Sequence, residues 1–302
     1  MSDLVSVLMC TRGRPTDAQG AVRSLLASVG VELEVIVIDQ SDDTDTAEIL
    51  EGLHDDRVRY VRSATRGLGA GLDEGLRLAR SPYVVHTDDD CEAPPDWVAG
   101  MAAILEEMPK VAVVFSNVVA GPYDPKAGFV PVHIRKRDRL IRSVIQTRGQ
   151  PGMGAGMAMR RDAVLAVGGF DPAMGAGARF FSMDDWDVEL RVLLAGWESF
   201  HTAQIFVIHH GFRTFAQGHD HTKRNWLGLG AGLAKLTRGG HPSALGLAAM
   251  EIWLNVLVPM LRDIVHLRRP VGLRRIVWFA QGFVEGFRTP VDRATLRFAP
   301  KN

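Results

Sequence analysis

The sequence predicts an α/β protein, with a mostly parallel central sheet flanked by helices and a helical C-terminal extension. Three observations lead there. Short apolar runs alternate with stretches of helical period through the first two-thirds of the 302 residues. Several of these runs end on carboxylates or small polar groups. Beyond Gly211 the alternation stops, and longer apolar and basic stretches replace it. Continuously apolar strands belong to sheets covered on both faces, and such sheets are built from parallel strands with helical crossovers.

The elements follow in order. Val5–Cys10 is the first strand, and Thr16 with Gln19 has capping-box spacing ahead of Val22, Leu25, Leu26 and Val29. Gly30 closes that helix, and Leu33–Asp39 is a second, β-branched strand ending on a carboxylate. A helix over about 44–53 and a strand at Val58–Val61 come next. Leu68, Leu72 and Leu76 recur every fourth residue and mark a helix. Tyr83–His86 is the fourth strand, Pro94 and Pro95 open a helix through about Glu107, and Val111–Phe115 is the fifth strand. Pro122–Pro151, basic in its middle, reads as a surface excursion or mobile loop. Helices at about 161–167 and 184–195 and a strand at Ile205–Ile208 complete the body.

Composition excludes several classes. The chain is 46% hydrophobic and 23% charged, which is globular material and not a disordered chain. Its two cysteines cannot make a disulfide framework, so a reducing compartment is expected. Asp3 and the lack of a basic opening argue against a secretory leader, and a cytoplasmic site, at or away from the membrane face, is expected. Net charge is zero but unevenly spread: residues 211–302 hold 14 Lys+Arg against 5 Asp+Glu, and the preceding 210 hold 21 against 30. The acidic body argues against nucleic acid as a partner. Gly67-Leu-Gly-Ala-Gly71 lacks the third glycine of a dinucleotide fingerprint, since Leu72 occupies that position. No P-loop motif occurs.

In parallel sheets ligands sit beyond the carboxyl ends of the strands. That directs attention to Thr11–Arg14, Asp39 and Asp88–Asp90. Three adjacent carboxylates at a strand end repel one another. A Mg²⁺ or Mn²⁺ ion, which takes one or two carboxylates and completes its shell with phosphate oxygens, relieves that repulsion; the alternative is a solvated acidic turn. Asp39 either accepts from a ribose or base or starts a turn. Asp184-Asp-Trp-Asp187 opens a helix, where acids complement the dipole or one serves as a base. His209, His210, His219 and His221 fit no common zinc spacing. Cys10 and Cys91 read as small buried thiols.

Taken in order, these residues resemble the family 2 glycosyltransferases of the GT-A fold. The resemblance covers roughly Val5–Gly211: the opening strand with its Arg-Pro turn, Val35–Asp39, Arg66 through Asp90, Gly168-Gly-Phe-Asp171, and Asp184–Arg191. It departs after Asp39, where Gln40-Ser-Asp replaces the family's Asn-Gly-Ser, and at Asp184, where Glu is commoner. The resemblance implies a metal-dependent, inverting transfer of sugar from a nucleotide-diphosphate sugar, most often a UDP-sugar, to an acceptor hydroxyl. It implies Asp185 as general base and Asp90 with His209 as ligands of Mn²⁺ or Mg²⁺, His210 being the fallback. Thr11, Arg14, Asp39, Arg66, Asp88, Asp89, Gly154 and Asp184 would contact the nucleotide or sugar. The acceptor would be a saccharide or a lipid-linked saccharide.

Residues 1–215 are therefore expected to form the catalytic domain and 216–302 a basic, mostly helical extension. Ala244–Met260 is apolar but for Ser243 before it, Glu251 and Asn255, and Pro259 is expected to break it. Arginine clusters at 268–269 and 274–275 follow. Three placements fit: a helical subdomain packed on the body or on a second copy in a homodimer, helices lying on an anionic membrane, or a very short span.

Overall fold

A computed structural model describes residues 4–149, 151–268 and 272–299. Asp3, Gln150 and Arg269 lie outside the described residues. The first half runs β1 (Leu4–Thr11), α1 (Pro15–Leu26), β2 (Glu32–Asp39), α2 (Asp45–Glu51), β3 (Val58–Arg62), α3 (Leu68–Leu78), β4 (Tyr83–His86), β5 (Cys91–Glu92) and α4 (Trp97–Glu107). Then come β6 (Val111–Ala120), β7 (Gly128–Phe129), β8 (Arg139–Ile141), β9 (Met157–Arg160), α5 (Arg161–Ala166), α6 (Asp184–Leu194), β10 (Glu198–His209) and β11 (Arg213–Thr214). The C-terminal region holds α7 (Phe215–Arg238), α8 (Ser243–Ile252), a π-helical turn at Trp253–Leu257, α9 (Val258–Val265) and α10 (Leu273–Arg288). A hairpin, β12 (Val291–Asp292) and β13 (Arg297–Phe298), follows.

The main sheet has the order β3-β2-β1-β4-β9-β6-β10-β5, with β8 also paired to β10. Strands β1 to β4 pair in parallel, as do β6 and β10. Strand β9 runs antiparallel between β4 and β6, and the edge pieces β5 and β8 are antiparallel to β10. Thr11 stands opposite Asp39, and Leu8 opposite His86. The register thus brings the turns after β1, β2 and β4 to one edge.

Alternation along the strands separates two cores. Val7 and Met9 face α1 and α4, burying with Leu25, Trp97 and Met101. Leu8, Ile36 and Ile38 face the other way, onto Leu72 and Leu76 of α3 and Phe170. Each such side chain contributes about 1.5–3 kcal/mol on burial. A third core joins α6 to the C-terminal helices through Trp186, Leu190, Trp226, Leu233 and Phe279. Helices α7 and α10 approach closely because Gly230 faces the backbone of Phe279, where a Cβ would clash. At its centre Lys235, fully buried, lies 2.7 Å from Asp171 and 2.7 Å from Asp187. Asp187 in turn accepts from Arg191 Nε at 2.9 Å.

Four expectations change. Helix α1 starts at Pro15, with Arg14 at the N-cap and no side-chain cap, so Thr16 lies in the first turn and caps nothing. Proline fits there because its missing N–H is one of the unpaired ones anyway; the capping box occurs instead at Thr214 and Gln217 of α7. Strands β6 and β10 are longer than expected because buried polar residues interrupt their apolar runs. Asn117 bonds Arg135, and His201 Nε2 lies 2.8 Å from Glu189. The 122–151 stretch is partly built in: Arg135, 9% exposed, donates to His201 Nδ1 at 2.9 Å. Pro259 does not break its helix, which runs on from α8 through the π turn into α9. The wider turn just before the proline absorbs the hydrogen bond it cannot make.

Candidate active site

The turn after β4 carries Asp88, Asp89 and Asp90, and each carboxylate has a different surrounding. Asp89, buried, accepts from Thr11 Oγ1 at 2.8 Å and faces Arg14 at 3.1 Å. Burial pushes its carboxyl up to about 7, with Arg14 and Thr11 opposing. Arg14 also donates to Asp90 at 3.1 Å. Thr11 and Arg14 thereby brace the acidic turn.

Asp90 Oδ1 is buried without a hydrogen-bond partner, although His209 Nε2 lies 3.3 Å away. His209 Nδ1–H donates to the Pro131 carbonyl at 2.9 Å. In the neutral ring that bond leaves the Nε2 lone pair turned toward Asp90, the orientation a metal-ligating histidine needs. Burial opposes protonation of His209, but the adjacent Asp90 outweighs it and raises the ring above its ordinary value. Burial likewise pushes Asp90 up, and His209 with Arg14 overrides this to hold it low.

Donor atoms of Asp88, Asp90, Cys91 and His209 all lie within 4.8 Å of one another. Burial and then Asp88 push the Cys91 thiol well up, which keeps it a thiol and a poor ligand. The remaining two carboxylates and one imidazole are a hard set suited to Mn²⁺ or Mg²⁺. With the unpaired Asp90 oxygen, they fit such an ion. A Cβ on Gly211 would clash with His209 and come 2.9 Å from Asp90, so the ligand pair requires glycine there. His210 turns away, toward Glu92 at 3.1 Å, and stays exposed.

Asp88 also opens on a cleft of about 570 Å³. His86 forms part of its wall, donates from Nδ1 to the Leu8 carbonyl at 3.0 Å, and leaves Nε2 unpaired 3.6 Å from Asp88. Burial lowers the His86 pKa and raises that of Asp88. Across the same cleft, α6 begins at Asp184 and presents Asp185. Asp185 accepts from the amides of Gly154 and Trp186, both at 2.7 Å. Burial pushes it up to about 6 against those two bonds. Asp184 is buried, and burial followed by Asp185 lifts it well above the carboxylate range. Gly152, Met153 and Gly154 line the cleft.

Neither Asp39 nor Arg66 lines this cleft. Asp39 is fully buried and accepts from the Ser41 amide and hydroxyl and from Tyr60 at 2.9 Å, so a ligand would have to share its oxygens. Arg66 is exposed and paired with Asp42 at 2.5 Å.

The sequence reading missed the cleft's far wall. Arg213 and, from α7, His221, Arg224 and Trp226 line it, with Glu251 of α8 and Asn255 of the π turn. Burial, with Arg213 and Arg224, pushes His221 down to about 4. His221, Arg224 and Asn225 are spaced i, i+3, i+4, one helix face, a pattern that is visible in the sequence.

Comparison with known proteins agrees with this architecture. The pattern of glycosyl transferase family 2 matches residues 6–168. The glucosyl-dolichyl phosphate glucuronosyltransferase of Haloferax volcanii is 26% identical, over 57% of this chain and 57% of its own length. The chain therefore spans little more than half of that relative. The mannosyltransferase PcManGT of Pyrobaculum calidifontis, solved with GDP-Man and Mn²⁺, superposes with a TM-score of 0.57 at 19% identity, over 94% of this chain and 85% of that one. TarS residues 1–349 of S. aureus superpose with a TM-score of 0.63 at 13% identity, over 94% and 81%. These likenesses carry the fold, GT-A. With more than half its length matched by the family pattern, the chain belongs to glycosyl transferase family 2.

Proposed function

We propose that this chain transfers a sugar from a nucleotide-diphosphate sugar, a UDP-sugar first among them, to an acceptor hydroxyl with inversion. The observation that carries the reading is Asp185. A carboxylate raised to about 6 faces, across one cleft, Asp88 of the acidic turn. A general base works best with a pKa near the operating pH. Asp185 takes the proton of the acceptor hydroxyl as that oxygen bonds to the anomeric carbon and the diphosphate leaves from the opposite face. The Gly154 and Trp186 amides hold the carboxylate in place while it does so.

Asp88, Asp90 and His209 would hold Mn²⁺ or Mg²⁺, which when bound neutralises charge on the departing diphosphate. Thr11 and Arg14 keep the acidic turn in shape for it. The Mn²⁺ in the mannosyltransferase structure and the unpaired Asp90 oxygen support this assignment. Similarity to a glucosyl-dolichyl phosphate glucuronosyltransferase supports a lipid-linked saccharide acceptor and a role in glycan or glycolipid assembly.

The test is a thermal-shift titration of UDP, GDP, dTDP and CDP with and without Mn²⁺, then transfer from the sugars of the nucleotide that binds. A ligand at 100 times its Kd stabilises by about 2.7 kcal/mol. Metal-dependent stabilisation by one nucleotide and a product of inverted anomeric configuration are expected. Retention would overturn the base mechanism, and no shift with any nucleotide would overturn the donor site.

A further inference from the structure

We propose that α9 and the start of α10 seat the protein on an anionic lipid surface, with the cleft beside that surface. Helices α8 and α9 and the π turn form one helical stretch, Ser243–Val265, long and apolar enough by composition to cross a membrane. One face of it is committed to the protein. Leu247 and Val256 are fully buried, and Glu251 accepts from the Gly149 amide at 2.5 Å and from Asn255 at 2.7 Å. A span would tear these contacts out and carry Glu251 into hydrocarbon. The stretch therefore lies on a surface and does not cross it.

Its other face is bare. Trp253, Leu254, Val258, Leu261 and Val265 are 40–78% exposed. Beyond α9 the apolar exposure continues into the turn, where Leu267 is 96% exposed, and onto Leu273 of α10 at 55%. Soluble surfaces scatter such residues singly; a contiguous set marks an interaction face.

Charge selects the occupant. Between Leu261 and Arg275 the sequence has five arginines and one acid, Asp263. Apolar side chains interleaved with arginine match an anionic bilayer surface. They do not match a second copy of the chain, because a two-fold contact on this face would bring the exposed Arg262, Arg268 and Arg274 up against their own copies. The site's geometry fits too. Glu251 and Asn255 wall the cleft, while Trp253 and Leu254 on the same turns point outward. A lipid-linked acceptor held in that surface would have its saccharide next to Asp185. The docking itself does not depend on the reading of the chemistry.

Co-sedimentation of the whole chain with phosphatidylcholine vesicles, with and without 30% phosphatidylglycerol, tests this. Binding to the anionic vesicles only, weakened by salt and accompanied by a blue shift of tryptophan emission, is expected. Arg268→Glu with Arg274→Glu removes two cations, each worth about fivefold at such a surface, and lowers the partition coefficient about 25-fold or more. Leu267→Ser lowers it without changing salt sensitivity. All three positions are exposed, so melting temperature and nucleotide-dependent stabilisation stay at wild-type values. Vesicle binding that is absent, equal on neutral vesicles, or unmoved by these variants overturns the proposal. So does a dimer in solution that the same variants dissociate.

Discussion

Replacing Asp185 with asparagine isolates the proposed base. The side chain keeps its volume but cannot take a proton. Asparagine can retain one of the two amide bonds at 2.7 Å and loses the other, costing about 0.5–1.5 kcal/mol of stability. Loss of general-base assistance costs about 10²–10⁴ in rate, which is about 3–5 kcal/mol at 1.36 per tenfold. The catalytic loss therefore exceeds any positional one. The wild type adds a second signature. With Asp185 near 6, it is mostly ionised at pH 7. Initial rates at subsaturating donor should fall tenfold per pH unit below about 6. In Asp185→Asn that acid limb should vanish, leaving a low, flat profile with nucleotide affinity in Mn²⁺ unchanged. A variant within tenfold of wild type, or one that keeps the acid limb, would refute the assignment.

Other outcomes follow from the same geometry. Asp90→Asn and His209→Ala should each abolish stabilisation by Mn²⁺ in a thermal-shift assay, and Mn²⁺ affinity in the wild type should tighten as rising pH removes the His209 proton, read by isothermal titration. Gly211→Ala should weaken Mn²⁺ binding at least tenfold with little change in melting temperature, because the added carbon meets His209 and Asp90. Lys235→Met strands Asp171 without its cation, leaves Asp187 only Arg191, and should cost about 3–5 kcal/mol in urea unfolding. Burial raises Asp171, yet Lys235 overrides it and holds the carboxyl below its ordinary value. That stabilisation is present above pH about 4 and is lost as pH falls through the lowered folded value. The gap between wild type and Lys235→Met should therefore narrow in acid.

Much of the fold was legible because its signals are local. Tyr83–His86 is a strand within the bounds its apolar run suggested, and Leu68, Leu72 and Leu76 lie on one helix. Polar residues in buried strands were not legible, since Asn117 and His201 look like strand ends until Arg135 and Glu189 arrive from distant positions to pair with them. The family resemblance pairs His209 with Asp90, although 119 positions of chain separate them. No spacing reveals that Pro131 orients that imidazole.

By itself the sequence determined the alternation that builds the sheet, the edge where its carboxylates gather, and the family. The first two rest on periodicity and on strand-end residues, which are properties of neighbours along the chain, and the family rests on the resemblance of motifs taken in order. Tertiary structure alone decided three things. It divided the adjacent acids among roles, with Asp89 braced by Thr11 and Arg14 and Asp90 left facing His209. It brought α7 and α8 into the cleft wall. It also tied that region to α6 through Lys235, a lone lysine in an apolar helix face until Asp171 and Asp187 surround it. A charge is stable in the interior only beside its partner, and the partners here come together through folding, not through sequence proximity.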